Sequence, residues 1–391
     1  MSIEIRAMLE DERERVLELK EQAFNVSVAR QKKGNPFPAE NARVAIVDGD
    51  VAGTLTIFRF GHFFGGRSVP SVGIGGVAVA AHARGRRVAE TLMTETLREL
   101  RDQDFAISML YPATVPLYRR CGYEFAAFRF HYRAPLEALP RADATPVVEW
   151  EESALDEIAD CYRSFASTMS GPVDRPDWFW PKRVLHVSDD QPVRRYCVRE
   201  SGRITGYTVY TQEKAGDLPY GFNIDCRDLV WTTPASAAAL LGFFGRHRST
   251  GDQLMWAGPS NDTLAHLLPE QDVYYDSWFR QMLRLIDVPA AFEARGYPTP
   301  LDAAVELQVE DPAFGWNDAG WRIETSGGTA KVSPATSAEA RVDVRTLASM
   351  FSGFLSARDA RRLGRLVATD DEIASLDAIL AGPPPWINDW F

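Results

Sequence analysis

Long apolar runs are missing from this chain. No stretch reaches the roughly 20 residues that a helix needs to cross a bilayer. The opening residues, MSIEIRAMLEDERERV, are charged from the start and offer no apolar leader. Both features point to a soluble, cytoplasmic protein. Cysteine is scarce: Cys121, Cys161, Cys197 and Cys226 stand at spacings that fit neither a zinc site nor a disulfide framework. A chain of 391 residues can bury its own core, so the four are expected to be reduced and structural. The histidines, His62, His82, His131, His186, His247 and His266, do not cluster, and no metal site is expected. Positive charge is in deficit, with 43 Lys and Arg against 54 Asp and Glu and a formal net charge of −11. An acidic chain repels nucleic acid and anionic lipid, so neither nucleic acid nor membrane is an expected partner, whereas cationic amines are attracted. The chain's phosphate-type turn carries neither a Walker A nor a G-x-G-x-x-G pattern, which disfavours nucleotide hydrolysis and dinucleotide redox chemistry.

The chemistry that is present gathers in residues 77–123. Val77, Ala78 and Val79 end a strand, and a basic turn follows, Arg84-Gly85-Arg86-Arg87. Val88, Leu92, Thr96 and Glu99 then form one row, and Ala89, Met93 and Leu97 the next, at helical spacing. A strand over 105–110 and the segment Leu117-Tyr118-Arg119-Arg120-Cys121-Gly122-Tyr123 complete the stretch. The first turn of a helix leaves backbone N–H groups unpaired and carries partial positive charge, so strand, basic turn and helix suit a pyrophosphate. The plainer alternative is a solvated surface turn, with Tyr118 a core or rim residue.

These residues resemble the GNAT N-acetyltransferase superfamily, whose signature is Gln/Arg-x-x-Gly-x-Gly/Ala between a strand and a long helix. Arg84 and Ala89 match the ends of that pattern; Arg87 stands where the central Gly belongs. Tyr118 falls at the family's spacing for a general acid. The order of elements over the first 134 residues fits too. It reads as a strand over 2–8, a helix over 10–23, a loop or short helices over 24–40, and strands over 42–47 and 51–60 around Asp48-Gly49-Asp50. A glycine-rich turn over 61–66, a strand over 71–79, the stretch above and a strand over 123–133 follow. In the family the strand ending at Val79 splays from its neighbour and frees backbone groups for the pantetheine arm of the coenzyme.

A proline-rich linker over 135–146 leads to a second mixed segment, with helices over 153–166 and 234–248 and strands over 194–200, 202–211, 220–231, 253–257 and 278–286. It lacks a basic pyrophosphate turn and reads as a degenerate second GNAT-like domain. From residue 287 a helix over 290–295, strands over 301–309, 320–325, 329–332 and 340–344, and helical stretches over 345–355, 357–368 and 371–380 resemble a sterol-carrier-protein-like domain. The chain then ends on a stiff Pro383-Pro384-Pro385 and an aromatic Trp386-Ile387-Asn388-Asp389-Trp390-Phe391. A terminus this apolar is expected to dock.

Taken together, the chain resembles the enhanced intracellular survival (Eis) family of acetyltransferases, most specifically through Val288-Pro289-Ala290-Ala291-x-Glu-Ala-Arg-Gly-Tyr. The resemblance implies an α/β (α+β) fold class. It comprises a catalytic GNAT domain over 1–134, a second GNAT-like domain over 147–286, and a sterol-carrier-protein-like α+β domain over 287–391 whose tail reaches the active site. It implies acetyl-CoA as donor, no metal, and a primary amine as acceptor: an aminoglycoside, a lysine side chain or a polyamine-like molecule. The backbone of Val77, Ala78 and Val79 would bind the pantetheine arm. Gly85, Arg86, Arg87, Val88, Ala89 and Glu90, beside Arg84, would hold the pyrophosphate, and Ala113 and Thr114 would line the thioester end. Tyr118 would be the general acid and the α-carboxylate of Phe391 the general base. Phe24 and Phe37 either wall the acceptor cleft or pack beneath their loop. Val26 and Trp390 stand where the family carries acids, leaving Asp389 as the nearest one, so the pocket is expected to be more apolar. The family also implies a homo-oligomer, a trimer or hexamer. Two other functions stay open: a lipid or sterol carrier built on the third domain, and a non-catalytic coenzyme-binding scaffold.

Overall fold

Alternating and helical patterns lay down the elements in order, and the computed structural model, which describes residues 3–33, 37–140, 145–186, 192–216 and 220–391, shows how they assemble. The first are β1 (Ile3–Ala7), α1 (Arg13–Phe24), α2 (Val28–Lys33), β2 (Ala42–Val47), β3 (Asp50–Phe64), β4 (Arg67–Val79), α3 (Val88–Asp102), β5 (Ile107–Leu110), α4 (Val115–Arg120) and β6 (Glu124–Pro135). The chain divides into two compact units. One comprises Met1–Ala126, Arg280–Pro383 and Phe391; the other comprises Ala127–Phe279 and Pro384–Trp390. Residues 141–144, inside the expected linker, and Pro36, in the loop after α1, lie outside the described residues.

In the first unit β1 to β5 lie side by side in chain order. The first four are antiparallel, and β5 joins parallel to β4, from Ser71 opposite Ile107 to Gly73 opposite Met109. Beyond Gly73, β4 runs on past its paired stretch, so Val77 to Val79 have left β5 behind. A register shift against β3 between Thr54 and Thr56 falls beside Gly76, which takes a left-handed φ of 61°. Helix α3 buries Val88, Leu92, Met93, Thr96, Leu97 and Leu100. All but Thr96 join a core with Val44, Leu55, Ile74 and Leu110. At about 1.5–3 kcal/mol for each fully buried large apolar side chain, this face fixes where the helix begins. Val88 packs so close to β3 that a Cβ on Gly53 would meet its Cγ1 at 3.1 Å.

The glycine-rich turn expected over 61–66 is shorter than that. β3 continues through Phe64, and only Gly65 and Gly66, both at positive φ, make the turn. Strand pairing continues because the side chains there are buried: His62 hydrogen-bonds Ser71 Oγ at 2.8 Å, and Phe63 and Phe64 are in the core. The remainder of this unit holds a five-stranded sheet in the order Thr329–Pro334, Gly320–Ser326, Ala303–Glu310, Ala340–Asp343 and Leu366–Val367. The helix expected over 345–355 ends at Phe351, and 357–368 is a helix, Ala357–Arg362, followed by the short strand Leu366–Val367. Gly353 and Gly364, at φ of 84° and 70°, stand just past the two helix ends and turn the chain.

In the second unit the strands run in the order β6, Gly251–Gly258, Phe222–Trp231, Arg203–Lys214, Arg194–Glu200 and Val147–Glu149. Helices Leu155–Ala166 and Pro234–Gly245 pack on it, the latter capped by Thr233. In this unit Arg175 is buried with Asp228 and Asp389, its guanidinium over the Tyr162 ring at 3.8 Å.

Candidate active site

The splayed end of β4, the start of α3 and the helix α4 converge on a cavity of about 450 Å³ in the first unit. Val77, Ala78 and Val79 line it from β4. Arg84, Gly85 and Arg87 line it from the turn, and Val88, Ala89 and Glu90 from the first turn of α3. Ala113, Thr114 and Tyr118 face them from the other side. The turn is tied to the strand by Arg84 Nε, which donates to the Val79 carbonyl at 3.3 Å. No side chain caps α3, so its leading N–H groups are available to an anion. Gly85, at φ 76°, has open space where a Cβ would be, leaving backbone accessible. These features fit a pyrophosphate-bearing ligand.

Arg86 is the exception in that stretch. It is absent from the cavity wall, and its guanidinium reaches Asp48 at 3.5 Å. Gly85 and Arg87, on either side of it, are both left-handed, and of the three arginines Arg84 and Arg87 line the cavity. Arg87, the residue in the place of the signature glycine, adopts φ 59° as the N-cap of α3. The backbone thus makes the turn that glycine makes, with a side chain in a conformation that costs about 1–2 kcal/mol. Glu90 places negative charge beside the anion position, and Arg120 offsets it at 3.0 Å.

Tyr118 is 5% exposed, its ring edge-on to Tyr123 at 6.0 Å between centroids. Burial, with a smaller contribution from Cys121, pushes its phenol up to about 12. Among the described residues its hydroxyl has no hydrogen-bond partner. The Cys121 thiol is buried and pushed up to about 11, which fits packing and not a thiolate nucleophile.

The last residue also belongs to this unit. The Phe391 ring lies against Phe60 at 5.1 Å, Tyr111 at 5.8 Å and Phe58 at 5.9 Å. Phe37 packs edge-on against Phe58 at 4.6 Å and so joins this aromatic group. Room for the terminus comes from glycines on one face of β4. A Cβ on Gly73 would sit 2.5 Å from the Phe391 ring, and one on Gly75 would sit 3.1 Å from its main-chain oxygen.

Phe24, Val26, Asp389 and Trp390 were also expected at the acceptor cleft. Phe24 ends α1 with its ring 42% exposed, and Val26 lies in the following loop, its carbonyl accepting from Gln31 Nε2 at 2.8 Å. Neither lines the cavity. Asp389 is not a free acid: it is buried in the second unit and bonded to Arg175 through both oxygens, at 2.6 and 3.0 Å. Trp390, 43% exposed, packs edge-on to Phe279 at 5.2 Å. Sequence reasoning missed Phe58, Phe60, Tyr111 and Lys20. The Gly73-Ile74-Gly75-Gly76 run was the available signal, since alternate glycines in a strand mark close approach by other groups.

A crystal structure of a GCN5-related N-acetyltransferase from Anabaena variabilis matches with a TM-score of 0.94 and 30% identity, covering 100% of both chains. This chain belongs to the GCN5-related N-acetyltransferase family. Acetyltransferase (GNAT) domain patterns match residues 4–126 and 171–285, and a sterol carrier protein domain pattern matches 288–388. The enzyme is therefore an acyltransferase with two GNAT-like domains and a C-terminal sterol-carrier-like domain. An uncharacterized N-acetyltransferase of Streptomyces avermitilis is 28% identical over 349 residues, 83% of this chain and 82% of its own. N-acetyltransferase Eis of Mycobacterium tuberculosis is 25% identical over 339 residues, 81% and 79%.

Proposed function

We propose that this N-acetyltransferase moves an acetyl group from acetyl-CoA directly to a primary amine. The reading rests on one observation: a single cavity brings together the unpaired end of β4, the uncapped start of α3 and the Tyr118 phenol. The backbone of Val77 to Val79 takes the pantetheine arm. The turn from Arg84 to Glu90, less the Arg86 side chain, holds the pyrophosphate, and Ala113 and Thr114 border the thioester. Tyr118 stays protonated at neutral pH and donates its proton to the departing thiolate. The Phe391 carboxylate is the base. A free α-carboxylate, near 3.3–3.7, is weak for that task. A water relays the proton to it. No covalent enzyme intermediate is needed.

Residues 1–134 carry catalysis in this reading. Residues 147–286 form a GNAT-like domain without coenzyme, and 287–391 carry the tail that delivers Phe391. With Asp389 held by Arg175 and no acid at Val26 or Trp390, an apolar amine suits the enzyme better than a polycationic aminoglycoside. No described helix is long and apolar enough to cross a membrane. A cytoplasmic homo-oligomer, a trimer or hexamer, completes the reading and is checked by light scattering.

The test is thiol release from acetyl-CoA with a panel of apolar, polyamine, lysine and aminoglycoside acceptors. Release with at least one amine, lost in Tyr118→Phe, is expected. Coenzyme binding without release for any amine would leave a scaffold instead, and full activity in a chain extended past Phe391 would remove the carboxylate from the mechanism.

A further inference from the structure

The first unit contains an amine of its own at the place where amines are proposed to react. Lys20 lies on α1, one turn before Ala23, and Ala23 lines the coenzyme cavity. Its side chain crosses to the β3–β4 pair, where Nζ donates to Thr56 Oγ1 at 2.7 Å. Thr56 is the cross-strand partner of Gly75, the residue beneath the Phe391 main-chain oxygen. Partners directly opposite in a ladder point to the same face. Lys20 and the chain terminus therefore approach the same residue pair from the same face. The approach is tight: a Cβ on Gly76 would meet Lys20 Cε at 3.0 Å and Nζ at 3.2 Å. Gly76 immediately precedes the cavity-lining Val77.

Among the described residues Lys20 has no carboxylate partner. Burial, helped by the nearby Arg13 charge, lowers its ammonium to about 8. A fraction of the amine is thus neutral near neutral pH, which is the form that attacks a thioester. Lys32, for comparison, is held at 2.6 Å by Glu14.

We propose that Lys20 is a self-acetylation site, taking an acetyl group from the enzyme's own bound donor. The inference rests on the acetyltransferase reading above. In the step, the Nζ lone pair attacks the thioester carbonyl carbon, a C–N bond forms and the C–S bond breaks. The sulfur leaves as coenzyme A thiol with the Tyr118 proton. The proton shed by nitrogen passes to the Phe391 carboxylate and restores the phenol through solvent. The products are acetyl-lysine and free thiol. The modification removes a cation from the acceptor face and fills its place with an amide. Holding the amine beside the donor replaces a bimolecular encounter with an intramolecular one, so no added acceptor is required.

The experiment incubates the full-length enzyme with acetyl-CoA alone and maps acetylation by peptide mass spectrometry. The chain has only six lysines, Lys20, Lys32, Lys33, Lys182, Lys214 and Lys331, so the other five serve as internal controls. The expected result is one acetyl group per chain, on Lys20, forming at least about tenfold faster than on the controls and about tenfold or more slower in Tyr118→Phe. Lys20→Arg and Lys20→Met, each checked for a native thermal transition, remove it. Uniform labelling of all lysines overturns the proposal. So does an unmodified Lys20 in enzyme that acetylates added amines, an outcome that leaves the acetyltransferase reading standing. No thiol release under any condition would sink both.

Discussion

Arg87 carries the clearest strain in the candidate site. It holds a left-handed φ of 59° at the N-cap of α3, where the signature has glycine. Arg87→Gly relieves that conformation, and an increase of about 1 kcal/mol in stability is expected from a denaturant melt. Coenzyme affinity should fall if the guanidinium also meets phosphate, so calorimetry separates the two roles. Tyr118 makes a prediction about pH. The phenol must be protonated to act as an acid, and burial raises it to about 12. Activity lost through Tyr118 is therefore lost only as pH rises toward that value. A pH–rate profile should show no basic limb from this residue below about pH 10, the range in which a free phenol would ionise. Tyr118 was legible from its spacing after a strand. The raised pKa was not, because it comes from burial within the fold, with a smaller contribution from Cys121.

Among the elements, β4 does the most. Its parallel pairing with β5 stops at Gly73, and that ending opens the cavity beside Val77 to Val79. Its glycines then serve the opposite requirement, close packing, by admitting the Phe391 ring and main-chain oxygen. Gly73→Ala places a methyl about where the Phe391 ring now lies. Amine acetylation is expected to drop by about 10²-fold or more as the terminus shifts, while coenzyme affinity, measured by calorimetry, changes little. Equal loss of both would show that β4 itself had been distorted. The strand's existence could be read from its Val and Ile residues. The point where it leaves its neighbour could not, since register depends on two strands together. The turn expected over 61–66 failed for the same reason: glycines there suggested a break, but pairing of His62 and Phe63 with Val69 and Ser68 carried the strand through.

For the molecule as a whole, the cost of burying charge is the most testable property. Arg175 neutralises Asp228 and Asp389 in the interior of the second unit, at 2.7 and 2.6 Å. Arg175→Met leaves two carboxylates buried without a cation, and a loss of about 3–5 kcal/mol is expected in a denaturant melt. Burial raises the Asp389 carboxyl. Without the arginine, that raised folded-state value means stability is best retained at low pH and falls as pH rises and Asp389 ionises. The variant's deficit should accordingly be smaller at pH 5 than at pH 8. Two GNAT-like domains followed by a sterol-carrier-like domain, and a basic turn between a strand and a helix, were determined by sequence, because periodicity, glycine and proline placement and charge at a helix start are local properties. Tertiary structure alone decided that Arg86 turns to Asp48, that Asp389 is spent on Arg175, and that Lys20 stands over the same residue pair as the chain's end. Each of those outcomes depends on which distant residue comes within a few ångströms, and linear spacing does not encode that distance.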